Sequence, residues 1–297
     1  MQRIFAHTLD RSRIFYLFLF LIVGLFLSGS LMEMLSGALG WTDAANVWYI
    51  RLSVFLQGLL MFFFPAFTIA VWSDDKPLHF LSLRKRNDLF LLMMLAINIF
   101  IVSSPMISLL TQWNKQMMLP GFMSSVEDWM RNTEDAAAQS TGILLGDRTT
   151  FGFFANLLLI AAFTAVSEEF FFRGVLQRSL EGMMKNGHAA VWVAAFVFSV
   201  LHLQFYGFLP RLALGVILGY LFLYSRNLWV PVIAHFFNNA TVIVTTYFWG
   251  DTLFVKQMNN PQLSFTLSVY AVAGAAALVL LFMYYKRVAS RAATSEK

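Results

Sequence analysis

Cysteine is absent from the 297 residues of this chain. That excludes disulfides, thiol nucleophiles and thiolate zinc sites together. Charge is scarce as well. Asp, Glu, Lys and Arg make up 12% of the residues and hydrophobic types 59%, where a soluble protein carries about 25% charged and about 45–50% apolar residues. With 32 Phe to accommodate, the excess apolar surface has no soluble core to enter, and a soluble enzyme is excluded. No repeat of about 20–50 residues, no low-complexity tract and no separate soluble domain interrupts the pattern.

What is present is a series of apolar stretches divided by polar punctuation. Spans are predicted at 14–35, 47–72, 88–111, 149–167, 188–206, 210–225, 228–249 and 263–285, compared with the roughly 20 residues that about 30 Å of hydrocarbon requires. The expected fold class is all-α, a polytopic membrane helix bundle of about eight transmembrane helices. The first stretch follows Arg3, Arg11 and Arg13, but it outruns a signal-peptide core and lacks a small-x-small site, so a retained helix is expected.

Orientation follows from Lys and Arg near the span ends. Arg3, Arg11, Arg13, Lys76, Arg84, Lys85, Arg86, Arg173, Arg178, Lys185, Arg226, Lys286, Arg287, Arg291 and Lys297 fall in alternate loops, whereas the large loop at 112–148 holds Glu127, Asp128, Glu134, Asp135 and Asp147. Both termini are therefore expected on the cytoplasmic side. The chain divides into N-terminal transmembrane helices (1–120), an extracytoplasmic loop with an amphipathic helix (121–148), core helices (149–250), and a last transmembrane helix with a short cytoplasmic tail (251–297). In the loop, Val126, Trp129, Met130 and Ala137 fall near one helical face with acids opposite, which reads either as an interfacial helix or as an ordinary capping loop.

Ionisable groups inside the spans carry the chemical information, because a charge at the centre of a membrane helix costs about 2.5–3.5 kcal/mol. The carboxylates are expected in loops except Glu168 and Glu169; His202 and His235 lie deep in apolar runs, whereas His7, His79 and His188 lie at ends or loops. Glu169 and Arg173 are four apart and can pair on one face if the helix continues past the carboxylates, with Glu168 rotated by about 100°. Phe198 and His202 are also four apart, as are His235 and Asn239, so three helices can present polar groups to one cavity. Gly215 and Gly219 form a small-xxx-small face for close helix packing.

Two Glu and two His without Cys suggest water activation. A carboxylate in a low-dielectric cavity can take a proton from water and return it to a leaving amine, while His and Asn side chains orient the water or stabilise an oxyanion. The same groups can instead hold zinc through His202, His235 and a Glu. The sequence leaves both versions open. It does lack the H-E-x-x-H, G-x-S-G and G-x-G-D patterns of other intramembrane proteases.

Glu168-Glu169-Phe170-Phe171-Phe172-Arg173, Phe198-Ser199-Val200-Leu201-His202 and His235-Phe236-Phe237-Asn238-Asn239 resemble, in order, the E-E-x-x-x-R, F-x-x-x-H and H-x-x-x-N motifs of the CPBP family, the CAAX protease and bacteriocin-processing intramembrane proteases. Asn227-Leu228-Trp229-Val230-Pro231 is family-like too, and the resemblance covers about 150–250. It implies an intramembrane endopeptidase in which Glu168 is the catalytic carboxylate and His202 helps activate water. His235 and Asn239 would polarise the scissile carbonyl, with Glu169, Arg173 and Phe198 in support. It implies either a zinc held by Glu168, His202 and His235 or a metal-independent glutamate mechanism. The site is expected in a cavity open toward the cytoplasmic side. The implied partners are the lipid bilayer and a protein or peptide substrate, such as a prenylated CAAX protein, a bacteriocin precursor or another membrane peptide, with no nucleic acid. The rival readings are a non-proteolytic immunity or scaffold protein on the same fold, and an ion-coupled transporter, which inverted repeats would favour and which the sequence does not show.

Overall fold

Away from water, an apolar run can satisfy every backbone N–H and C=O internally only as a helix, and the computed structural model is built of helices throughout. It describes residues 10–41, 43, 45–250, 252 and 264–295; Arg3, His7 and Lys297 lie outside these. The longer helices are α1 (Asp10–Leu39), α2 (Val47–Ser73), α3 (Leu89–Lys115), α4 (Ser124–Gly146), α5 (Thr150–Met184), α6 (Gly187–Leu201), α7 (Phe208–Ser225), α8 (Trp229–Trp249) and α9 (Phe265–Ser295). No strand occurs among the described residues.

Among the described residues six helices (α1, α2, α3, α5, α7 with the turn before it, and α9) are long and apolar enough to cross a membrane. The chain is thus a multi-pass integral membrane protein. The other two predicted spans are helices of a different kind. α8 has 21 residues but carries His235, Asn238, Asn239 and three threonines. α6 has only 15 residues, about 22 Å of helix, short of the roughly 30 Å of hydrocarbon.

Four expectations need correction. The fourth span does not stop at 167: α5 runs for 35 residues, so Glu168 and Glu169 sit in mid-helix, and Arg173 and Arg178 are helical rather than loop residues. The helix survives these charges because Arg173 is paired with Glu169 inside it, and it widens to π-helical geometry over Phe170–Gln177. Glu33 is a further carboxylate on a span, near the far end of α1. The final segment, expected as a solvated tail, continues as helix to Ser295. Finally, α4 is helical, but Glu127 and Glu134 turn inward beside Met130 and Ala137, while Val126 and Trp129 stay exposed. Glu127 is drawn in by Arg131, the Leu119 N–H and the Tyr206 hydroxyl.

Two apolar clusters hold the bundle. One gathers α1, α2, α5 and α6 around Phe170, Phe171, Phe172 and Phe198. The other joins α3, α7, α8 and α9 around Leu92, Ile99, Leu221, Ala234 and Tyr285. The Tyr285 hydroxyl donates to the Leu221 carbonyl (3.0 Å). The polar residues of α5 and α8 meet where these clusters adjoin.

Candidate active site

Glu169 is fully buried and its Oε1 accepts two charge-assisted bonds, from Arg173 Nη1 and from His235 Nδ1, each 2.8 Å. Helical spacing makes the first pair, four residues apart on α5. The second joins α5 to α8. Glu169 Oε2 is buried without a hydrogen-bond partner among the described residues.

Arg173 is 1% exposed and reaches across to α7, where Nη2 donates to the Gly215 carbonyl (3.0 Å). Its guanidinium also stacks over Phe198 at 5.1 Å, a favourable contact when desolvated. One turn on, Gln177 repeats the pattern and donates to the Gly219 carbonyl (3.0 Å). The glycines explain the reach: a Cβ on Gly215 would stand 3.1 Å from the Ala195 Cα, and one on Gly219 would meet Val191. The small-xxx-small face therefore packs α7 on α6, as expected, and it also exposes the carbonyls that receive Arg173 and Gln177.

Glu168 points differently. Its side chain keeps 12% exposure, and Oε2 lies 3.9 Å from His235 Nε2, a separation a water molecule can bridge. His235 thus stands between the two glutamates. With Nδ1–H donated to Glu169, the neutral ring presents Nε2 as an acceptor toward Glu168.

His202 caps the C-terminal end of α6, with Nδ1 bonded to the Phe198 carbonyl (2.7 Å) and its ring 4.7 Å edge-on from Phe198. Phe198 also packs edge-on against His235 (6.3 Å) and Phe172 (5.0 Å), so one ring separates both histidines from the apolar core. Glu168 and His235 are among the groups acting electrostatically on His202. The early end of α6 brings this residue, expected near the outer end of its span, to the same site.

Asn239 Nδ2 donates to the Ile160 carbonyl (3.1 Å) on α5, and its Oδ1 accepts from Asn238 (3.1 Å). One N–H of the amide remains for another acceptor. The family-like segment before α8 also has a role: Asn227 Oδ1 caps the Trp229 N–H (3.0 Å) while Nδ2 holds the Arg84 carbonyl (2.7 Å).

The zinc reading requires Glu168, His202 and His235 to converge. Among the described residues no three His, Asp or Glu side chains form a group that could hold a metal ion.

Sequence reasoning missed Gln177, although it continues the Glu169–Arg173 face four residues on. It also missed Arg51 and Arg211, two arginines in apolar spans whose insertion cost was the available signal. Arg51 is buried on α2, donates to Asp147 (2.8 Å) and Asn156 (3.4 Å), and lies over Trp48 (5.2 Å). An apolar cavity of about 270 Å³ adjoins the His202 turn, between Trp129 and Met130 of α4 and Ser199, Leu203 and Phe208.

Residues 150–241 match the family described as Type II CAAX prenyl endopeptidase Rce1-like. An uncharacterized protein of Bacillus subtilis strain 168, YpbD, is 30% identical over 89 residues, covering 29% of this chain and 42% of that protein. The chain therefore spans less than half the length of this curated relative. No solved structure matches. This match agrees with the CAAX-protease family that the motifs resemble, and the matched segment holds every motif residue from Glu168 to Asn239.

Proposed function

We propose that the chain is an intramembrane endopeptidase that hydrolyses a peptide bond with water activated by Glu168. The observation that carries this reading is the division of labour between adjacent carboxylates. Glu169 is committed to Arg173 and His235, whereas Glu168 forms no short ion pair among the described residues and faces His235 Nε2 across 3.9 Å.

Water lying between Glu168 and His235 gives a proton to the Glu168 carboxylate as its oxygen attacks the scissile carbonyl carbon. His202, whose Nδ1 is engaged by Phe198, offers Nε2 to orient that water. The free N–H of Asn239 donates to the developing oxyanion, while His235 Nε2 accepts from the attacking water and holds it beside the scissile carbonyl. Collapse of the tetrahedral intermediate breaks the C–N bond, and Glu168 returns its proton to the leaving amine. Arg173 and Glu169 hold His235 in its tautomer, as an orienting carboxylate does in a catalytic triad.

The substrate class is a membrane-associated protein or peptide, with a prenylated CAAX protein, a bacteriocin precursor or another membrane peptide as its members. Purified wild type and Glu168→Gln are compared on an internally quenched farnesylated CAAX peptide. Loss of the general base is expected to cut turnover by about 10²–10⁴. Equal turnover by the two proteins would refute the assignment.

A further inference from the structure

Arg211 is a charged residue one turn into an apolar helix, and the chemistry above has no use for it. Both terminal nitrogens go to one residue: Nη1 donates to the Gln204 carbonyl (3.2 Å) and Nη2 donates to Gln204 Oε1. Gly207 lies so close to the guanidinium that a Cβ there would collide with it. Glu168 and Glu134 act on Arg211 through space.

The segment that Arg211 grips begins at His202. After α6 ends at Leu201, Leu203 adopts φ 52°, a left-handed conformation that a branched L-residue holds only when its surroundings enforce it. Gln204 is extended beyond it. The far half of this turn has its own anchors: Asn114 of α3 donates to the Phe205 carbonyl (2.8 Å) and accepts from the Leu209 N–H (2.6 Å), and Ser199 donates to the Phe208 carbonyl (2.7 Å). The half next to His202 is held by Arg211. Among the described residues the His202 ring is hydrogen-bonded only to its own helix, through the Phe198 carbonyl, so the direction of Nε2 follows wherever the end of α6 is fixed.

We infer that Arg211 is a positioning residue: its two-pronged hold on Gln204 fixes the left-handed turn after His202 and so aims the His202 ring toward Glu168 and His235. The consequence for turnover rests on the catalytic reading of His202; the hold itself does not.

The test uses Arg211→Met, Gln204→Leu and the double variant of the full chain in lipid vesicles. The first readout is the rate at which diethyl pyrocarbonate modifies His202, read by mass spectrometry with His235 as reference. Each single variant is expected to raise the His202 rate at least about threefold by loosening the turn. The double variant should go no further than either single, because both remove the same clamp. An unchanged His202 rate, or a change with Arg211→Met alone, would overturn the inference.

The second readout is cleavage of the farnesylated peptide. Each single variant is expected to lower kcat about ten- to a hundredfold through misplacement, with KM held within about twofold. A KM increase confined to Arg211→Met would make the guanidinium a substrate contact and overturn the positioning role. If wild type cleaves nothing, the protease reading falls while His202 reactivity still decides the clamp.

Discussion

Glu168 and Glu169 are neighbours in sequence with opposite surroundings. The helix sends one carboxylate toward Arg173 and His235 and leaves the other at the margin of the site. Glu168→Gln should therefore leave the thermal unfolding midpoint unchanged, even though it removes the proposed base. Glu169→Gln should behave differently, because Arg173 would remain buried without its charge partner, a loss of about 3–5 kcal/mol. Adding Arg173→Met to Glu169→Gln should recover most of that loss. Unfolding of the purified variants in detergent checks all three, and equal destabilisation by the two glutamate substitutions would contradict the division between them.

Between elements, close approach and a few polar ties do the work. Gly215→Ala places a Cβ 3.1 Å from the Ala195 Cα and should cost about 1–3 kcal/mol as α7 is pushed from α6. Gly142→Ala, on a face of α4 with none of the described residues within 4 Å of the added Cβ, should be neutral or stabilising by up to about 1 kcal/mol. The same unfolding assay separates them. At the junction of α4 and α5, Asp147 accepts from the Thr149 hydroxyl (2.7 Å) and from Arg51 (2.8 Å), which in that order hold its carboxyl below the usual range. A lowered folded pKa gives stability that is present above the ordinary value of about 3.9 and is lost as pH falls through the folded value. The midpoint should thus drop below about pH 4 in wild type and less in Asp147→Asn; parallel pH curves would contradict the tie. Contacts within one helix were legible in the sequence, since 3.6-residue periodicity alone pairs Glu169 with Arg173 and places Phe198 with His202. Contacts between helices were not, because an apolar run does not mark where α6 stops or which carbonyl Arg173, Gln177 or Arg211 will meet.

For the whole molecule, six of the eight predicted spans were legible because hydrocarbon thickness sets their length. The continuation of α5 past Glu168 was not, because a charge paired inside its own helix has the same letters as a loop charge. The expected orientation is tested by the absence of cysteine, which allows single labels at Ser125→Cys and Ser290→Cys. A membrane-impermeant maleimide should modify the first in intact cells and the second only after permeabilisation; the reverse pattern would invert the topology. The central claim, that Glu168 hydrolyses peptide bonds within a membrane, is met most directly by comparing new protein termini in membranes expressing wild type or Glu168→Gln at matched levels. Termini that appear with wild type and vanish with the variant are the expected result. The same set of termini from both would contradict it.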